Sequence, residues 1–227
     1  MKKFLLILMA LILIGCQNTQ TEDSTSQVQD NASQTSEETS HLLNTNQKVL
    51  VAYFSRVGNT DFPSDVDTSS SASVIVDGNK IIGNTEYIAD VIVEQTQGDK
   101  FLIKTETQYS ADYDELVAQQ KNERNRNVRP TLSSHVNNLD DYDVIFLGYP
   151  NWWSGMPMPL YTFLEEYDFS EKIIIPFNTS GGSGFSNSIN EIKELCPNAT
   201  VLNGYTTNGS SVQNHYDEII EWINEVI

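Results

Sequence analysis

The feature that most constrains the fold is a regular alternation, from residue 47 onward, between short apolar runs and longer amphipathic segments. The apolar runs are nearly continuous in Val, Ile, Leu and Phe, which is typical of parallel strands covered on both faces. The predicted strands are 48–55, 101–105, 143–149, 172–177 and 200–204, and the predicted helices are 85–97, 111–124, 157–167, 185–195 and 211–227. These β–α units predict a doubly wound α/β fold with a five-stranded parallel sheet, right-handed crossovers and helices on both faces.

One segment, residues 61–83, interrupts this alternation and shows no helical pattern. Within it, residues 72–76 and 79–82 flank the dipeptide Asp77-Gly78, which is a strong signal for a tight hairpin turn. The sequence therefore predicts a β-hairpin inserted after the first strand. Decoration of the sheet edge and a gating role beside the ligand loops are both open interpretations of this hairpin.

The first fifteen residues have the proportions of an export signal. Lys2 and Lys3 precede twelve apolar residues, 4–15, which are fewer than the roughly 18–20 that a membrane-spanning helix needs. Leu13-Ile14-Gly15-Cys16 then resembles the lipobox of bacterial lipoproteins, in which the cysteine is diacylated and begins the mature protein. The resemblance predicts a lipoprotein signal peptide over 1–15 and an anchor of two acyl chains on Cys16. An ordinary signal peptide with an incidental cysteine is the alternative.

Residues 16–46 are predicted to be a disordered linker, because twenty of the thirty residues from 17 to 46 are Ser, Thr, Asn or Gln. The domain over 47–227 keeps 26 of the chain's 31 acidic residues and 11 of its 13 basic ones, a net charge of −15. Nucleic acid and anionic lipid surfaces need basic patches, so this charge argues against both as ligands. It favours basic partners instead.

The candidate site consists of the loops after strands one, three and four, because open α/β sheets bind ligands beyond the carboxyl ends of their strands. The first loop lacks the Gly-Lys-Ser/Thr ending of a nucleotide P-loop and the Gly-x-Gly-x-x-Gly of a dinucleotide turn. It is rich in hydroxyls and suits a single phosphate held by N–H and O–H donors, although it could also be an ordinary turn. Its residues are Ser55, Arg56, Val57, Gly58, Asn59 and Thr60.

Two adjacent tryptophans distinguish the loop after strand three, which contains Pro150, Asn151, Trp152, Trp153, Ser154 and Gly155. Neighbouring side chains cannot both point into the core here. We therefore expect one indole to brace the loop and the other, assigned as Trp153, to stack on a planar ligand.

The loop after strand four has three glycines, which let backbone approach a ligand closely. Its residues are Thr179, Ser180, Gly181, Gly182, Ser183 and Gly184.

Together these loops resemble the flavodoxin-like family, specifically its short-chain, FMN-binding flavodoxin branch with Trp-Trp and Thr-Ser-Gly-Gly-Ser loops. The resemblance covers 47–227 and implies the sheet order 2-1-3-4-5 and non-covalently bound FMN. It implies that residues 55–60 hold the phosphate, that one tryptophan flanks the isoalloxazine, and that residues 179–184 border its other edge. It also implies a peptide that turns over on reduction, for which Ser154-Gly155 is best suited because Gly tolerates φ > 0.

The insertion is a departure from the flavodoxin pattern, in which the phosphate loop runs directly into the first helix. A second Gly83-Asn84-Thr85 precedes the helix here. We expect residues 55–60 to form the loop, with Asn84 and Thr85 capping the helix and sharing the phosphate. Arg56 either adds positive charge or points into solvent.

The sequence shows no metal-ligand cluster, Ser-His-Asp order or paired-carboxylate motif, and Cys196 is expected to be a buried bystander. Any chemistry would therefore belong to a cofactor. The leading hypothesis is an FMN-binding electron-transfer protein, lipid-anchored to the extracytoplasmic face of the cell membrane. Its partner would be a redox protein or a small electron donor or acceptor. An FMN-dependent quinone-type reductase and a cofactor-free binding lipoprotein are the alternatives.

Overall fold

The structure is a computed structural model that describes residues 46–63, 73–77 and 80–227. The predicted signal peptide, Cys16 and the linker up to residue 45 lie outside these residues, as do residues 64–72 and 78–79 of the insertion. Among the helices of the described ranges, none is both long and apolar enough to cross a membrane.

The described elements alternate along the chain as the apolar pattern predicts. The strands are β1 Val49–Tyr53, β2 Val74–Asp77, β3 Lys80–Gly83, β4 Asp99–Leu102, β5 Val144–Pro150, β6 Ile173–Ser180, β7 Thr200–Val201 and β8 Tyr205–Asn208. The α-helices are α1 Asn84–Thr96, α2 Tyr113–Asn125, α3 Met158–Glu166, α4 Ser188–Leu195 and α5 Tyr216–Val226, with 3₁₀ turns at Leu139–Asp141 and Gly209–His215.

In the described part of the chain, six strands form one parallel sheet in the order β4-β1-β5-β6-β7, with β8 also paired to β6. In terms of the predicted strands this order is 2-1-3-4-5, so the doubly wound α/β prediction is confirmed. The predicted strand 200–204 is wrong in its bounds, because the chain leaves the sheet after β7 and pairs again as β8.

Alternate residues of the central strands face two separate cores. Leu50 and Ile145 belong to one core, which α2, α3 and α4 cover with residues such as Leu160. Val51 belongs to the other, which α1 and α5 cover with residues such as Ile88. Because both faces of the sheet are buried in this way, its strands read as continuous apolar runs.

Four of the predicted helices agree with the structure to within three residues at each end. The prediction of a helix over 211–227 is wrong at its start, since residues up to His215 form a 3₁₀ helix and α5 begins at Tyr216.

The hairpin prediction is confirmed: β2 and β3 pair antiparallel, with Val74 opposite Gly83. The Ser73 carbonyl accepts a hydrogen bond from the Asn84 N–H (3.0 Å), so the hairpin leads directly into α1.

Candidate functional site

The tryptophan loop and the end of β6 border a cleft of about 430 Å³ at the carboxyl edge of the sheet. Within the described ranges, none of the residues that line this cleft is charged. The phosphate-loop residues 55–60 are not among them. The lining residues are Tyr113, Leu116, Val117 and Gln120 on α2, Pro150, Asn151, Trp152 and Trp153 in the tryptophan loop, Thr179, Ser180 and Gly181 after β6, and Ser73 and Gly209.

The tryptophan loop is a two-residue hairpin that closes between Trp152 and Gly155. Trp152 N–H donates to the Gly155 carbonyl (3.0 Å), and Gly155 N–H donates to the Trp152 carbonyl (3.1 Å). Trp153 and Ser154, at the tip, both have positive φ (54° and 61°), as a tight hairpin turn with matching twist requires. Trp152 is 9% exposed and Trp153 is 46% exposed. The structure therefore separates a buried indole from an exposed one.

Trp152 packs into a three-ring cluster with Phe54 and Tyr109. Its ring centroid lies 5.3 Å from that of Phe54 and 5.4 Å from that of Tyr109, both edge to face. The Tyr109 hydroxyl donates to Glu123 Oε2 on α2 (2.9 Å). Tyr109 and Glu123 are not among the site residues that the sequence predicts. Glu123 could have been noticed, because it shares the buried helix face of Leu116 at spacings of three and four residues.

Burial raises the pKa of the Glu123 carboxyl, which outweighs the lowering effect of hydrogen bonds from Tyr109 and Gln119. The folded protein therefore binds a proton at Glu123 more readily than the unfolded chain does. The stability from this difference is present below the unfolded pKa of about 4.3 and is lost as pH rises through the raised folded value.

We expect Glu123→Gln to remove this part of the pH dependence. As pH rises from about 4, the free energy of unfolding of wild type should fall relative to that of the variant, because only wild type must ionise a buried carboxyl. Urea midpoints of both proteins measured across a pH series would check this. Two curves that stay parallel over the whole series would contradict it.

Gly155 allows the close approach of an ion pair. Its φ is not positive, and a Cβ placed there would lie 2.6 Å from Arg124 Nη1 and 3.0 Å from Glu191 Oε2. Arg124 and Glu191 form a salt bridge of 3.2 Å between α2 and α4. In this conformation the backbone at 155 does not need glycine, and a Cβ there would require only the side-chain ends of Arg124 and Glu191 to shift. The peptide turnover proposed for Ser154-Gly155 stays a prediction.

The first loop is held together by the Asn59 side chain. Its Nδ2 donates to the Ser55 and Ile103 carbonyls (2.9 and 3.0 Å), and its Oδ1 accepts from the Thr105 N–H (2.9 Å). The carboxamide thus ties the loop after β1 to the chain after β4. It is engaged within the protein rather than directed at a ligand.

Arg56 is buried, with only 1% of its surface exposed, so the solvent-facing interpretation is wrong. Its Nη2 donates to the carbonyls of Ser110 and Ala111 (3.1 and 3.3 Å), and its guanidinium lies over the Phe62 ring. Burial lowers the pKa of this guanidinium. The side chain anchors the loop to the start of α2, and this restrains both segments.

The second Gly-Asn-Thr, residues 83–85, forms the amino-terminal end of α1. Gly83 is the residue before the first turn, so the expectation that Asn84 and Thr85 cap the helix is wrong: both lie inside it. Thr85 Oγ1 lies 3.0 Å from Thr179 Oγ1, which places the positive end of α1 beside the ligand cleft. The Thr60 hydroxyl is buried and has no hydrogen-bond partner within the described ranges.

The glycine loop after β6 is organised by Ser180, whose Oγ accepts from the Gly182 and Gly184 N–H groups (3.2 and 3.0 Å). Gly182 and Gly184 have positive φ (115° and 57°), which glycine adopts without steric cost. The Gly184 carbonyl accepts from Asn151 Nδ2, so the glycine and tryptophan loops are tied together. Gly181, Gly182 and Ser183 are exposed.

The chain is similar to known flavoproteins. The family model described as flavodoxin matches residues 73–226. Among solved structures, a candidate flavoprotein of Bacteroides uniformis is 29% identical with a TM-score of 0.59, covering 78% of this chain and 97% of that one. Another, of Bacteroides eggerthii, is 28% identical with a TM-score of 0.56, covering 77% and 99%.

A flavoprotein of Lactobacillus acidophilus, solved in complex with FMN, is 19% identical with a TM-score of 0.52. That match covers 74% of this chain and 97% of the other, and at this low identity it shows only that the two proteins share a fold. No curated protein matches the chain.

Proposed function

This chain belongs to the flavodoxin family, and from that premise we propose that it binds FMN and transfers electrons. The observation that carries the proposal is the uncharged cleft, which combines an exposed tryptophan with a glycine loop and adjoins the positive end of a helix. A planar ring that bears a phosphate fits these features. The similar fold of the Lactobacillus acidophilus protein, which is in complex with FMN, supports the same cofactor.

Trp153 would offer its ring face to the isoalloxazine, and the backbone of Ser180 and Gly181 would border the opposite edge. The phosphate would lie at the first turn of α1, near the Thr85 hydroxyl, which contacts Thr179 at the edge of the cleft. When bound, FMN supplies electron transfer in one- or two-electron steps. The protein contributes orientation and an uncharged cleft lining.

Reconstitution tests this proposal directly. Protein purified without flavin, incubated with FMN and desalted, should retain flavin absorbance at a ratio near one and quench the fluorescence of FMN. The same protein unfolded in urea serves as the control and should retain none. If the folded protein retains no flavin either, the cofactor-free binding alternative replaces this proposal.

The partner is proposed to be basic, because the domain from residue 47 carries a net charge of −15. Opposite charge steers association, so the rate of electron exchange with a basic redox protein should fall steeply as salt rises.

The absence of charged residues among the described lining residues of the cleft favours one second candidate, an FMN-dependent reductase of quinone-type acceptors. Steady turnover of a pyridine nucleotide with a quinone would distinguish it from a one-electron carrier.

The protein is further proposed to be lipid-anchored through Cys16 on the extracytoplasmic face of the cell membrane, on the strength of the lipobox alone. Cys16→Ala should release the protein from the membrane fraction, because two acyl chains are what would hold it there. Fractionation of cells that express each form checks this. A processed variant that still sediments with membranes would contradict the anchor.

A further inference from the structure

Tyr109 lies between β4 and α2, outside the three loops that resemble flavodoxins, and yet it contacts several parts around the cleft. Its backbone N–H donates to the carbonyl of Asn59 in the loop after β1 (2.8 Å). Its ring packs edge to face on Phe54 and Trp152, at centroid distances of 5.8 and 5.4 Å. Its hydroxyl donates to Glu123 Oε2. This one residue joins the first loop, the tryptophan loop and α2.

Glu123 fixes the orientation of Tyr109. The Glu123 residue is 9% exposed, and its other carboxyl oxygen accepts from Gln119 Nε2 (3.3 Å). A buried carboxyl is costly unless its oxygens are hydrogen-bonded, so both partners are held in place by their shared bond. Burial also raises the pKa of Tyr109 well above its ordinary value, which keeps its hydroxyl protonated as the donor.

Trp152 transmits this constraint to the exposed indole. The two hydrogen bonds between Trp152 and Gly155 leave only Trp153 and Ser154 at the tip of the hairpin. A turn this short has little freedom relative to the residues that close it. Where Trp152 is held, the backbone of Trp153 is held as well.

We propose that Tyr109 and Glu123 are positioning residues of the flavin site, which hold Trp152 and thereby preorganise the hairpin that presents Trp153. The inference rests on the proposed function and extends it to residues outside the flavodoxin-like loops. Preorganisation of this kind raises affinity, because the ordering of the loop no longer has to be achieved when the ligand binds.

The test compares Tyr109→Phe with a matched control, Tyr142→Phe. The Tyr142 hydroxyl donates to Asp99 Oδ2 (2.8 Å) at the amino ends of β4 and β5, away from the cleft. Each variant loses one phenol–carboxylate bond and keeps its ring. Tyr109→Phe should raise the Kd for FMN by about threefold to tenfold, whereas Tyr142→Phe should change it by less than about twofold.

A second measurement uses protein without flavin. The amide hydrogens of Trp152 and Gly155 should exchange with solvent about fivefold faster in Tyr109→Phe and at the wild-type rate in Tyr142→Phe. Equal behaviour of the two variants, in either affinity or exchange, would overturn the inference. Wild-type protein that binds no FMN would instead overturn the proposed function, and the exchange rates would still decide whether Tyr109 holds the hairpin.

Discussion

Trp152→Ala is expected to lower the free energy of unfolding by about 3–5 kcal/mol, as for other buried aromatic residues truncated to alanine. The reason is that Trp152 fills the space between Phe54 and Tyr109, and its removal leaves a cavity in the three-ring cluster. Trp153→Ala should lower stability by about 1 kcal/mol or less, because 46% of the Trp153 surface is exposed. Urea unfolding of both variants measures the difference.

The effect of Trp153→Ala should appear in FMN binding, measured under folding conditions. Loss of the stacking face in Trp153→Ala should weaken binding by about 1–2 kcal/mol, or roughly fivefold to thirtyfold in Kd. Titration of each folded variant with FMN provides the comparison. Equal stability losses in the two variants, or unchanged FMN affinity in Trp153→Ala, would refute the division between a bracing and a stacking indole.

Gly204→Ala is expected to destabilise the fold by about 3 kcal/mol or more, at the upper end of overpacking effects. Gly204 lies in the break between β7 and β8, and a Cβ there would lie far inside the van der Waals contact distance from the Pro176 carbonyl oxygen and 2.8 Å from the Phe185 ring. This oxygen belongs to the backbone of β6, which pairs with β5 on one side and with β7 and β8 on the other. Neither β6 nor the segment between β7 and β8 can therefore move aside without disturbing this pairing. Urea or thermal unfolding measures the loss.

Gly181→Ala is the control for this prediction. A Cβ on Gly181 meets no atom within 4 Å, and its φ is not in the left-handed region. The free energy of unfolding of Gly181→Ala should therefore match that of wild type to within about 0.5 kcal/mol. If Gly204→Ala is as stable as Gly181→Ala, the close approach of the chain to β6 at this point is not present in solution.

The strands and the hairpin could be predicted because they depend on patterns that are local in the chain, whereas the sheet order was implied by the resemblance to flavodoxins. An apolar run such as 143–149 specifies a strand buried on both faces, whatever its neighbours are, and Asp77-Gly78 specifies a turn. The glycine and tryptophan loops could be assigned to one edge because parallel strands place their carboxyl ends there. Hydroxyls and glycines do not show, however, whether Asn84 and Thr85 cap the helix or lie inside its first turn. That depends on where the insertion returns the chain.

The sequence by itself determined the fold class, the position of the cleft, and the need for one buried and one exposed tryptophan. Only the tertiary structure decided that Asn84 and Thr85 lie inside α1 and do not cap it, that Arg56 is buried, and that Tyr109 and Glu123 support Trp152. These contacts join residues that are separated in the chain, and they form only when α2 and the loops have packed on the sheet. Local patterns carry no information about such pairings, because each polar side chain could satisfy its hydrogen bonds equally well in water.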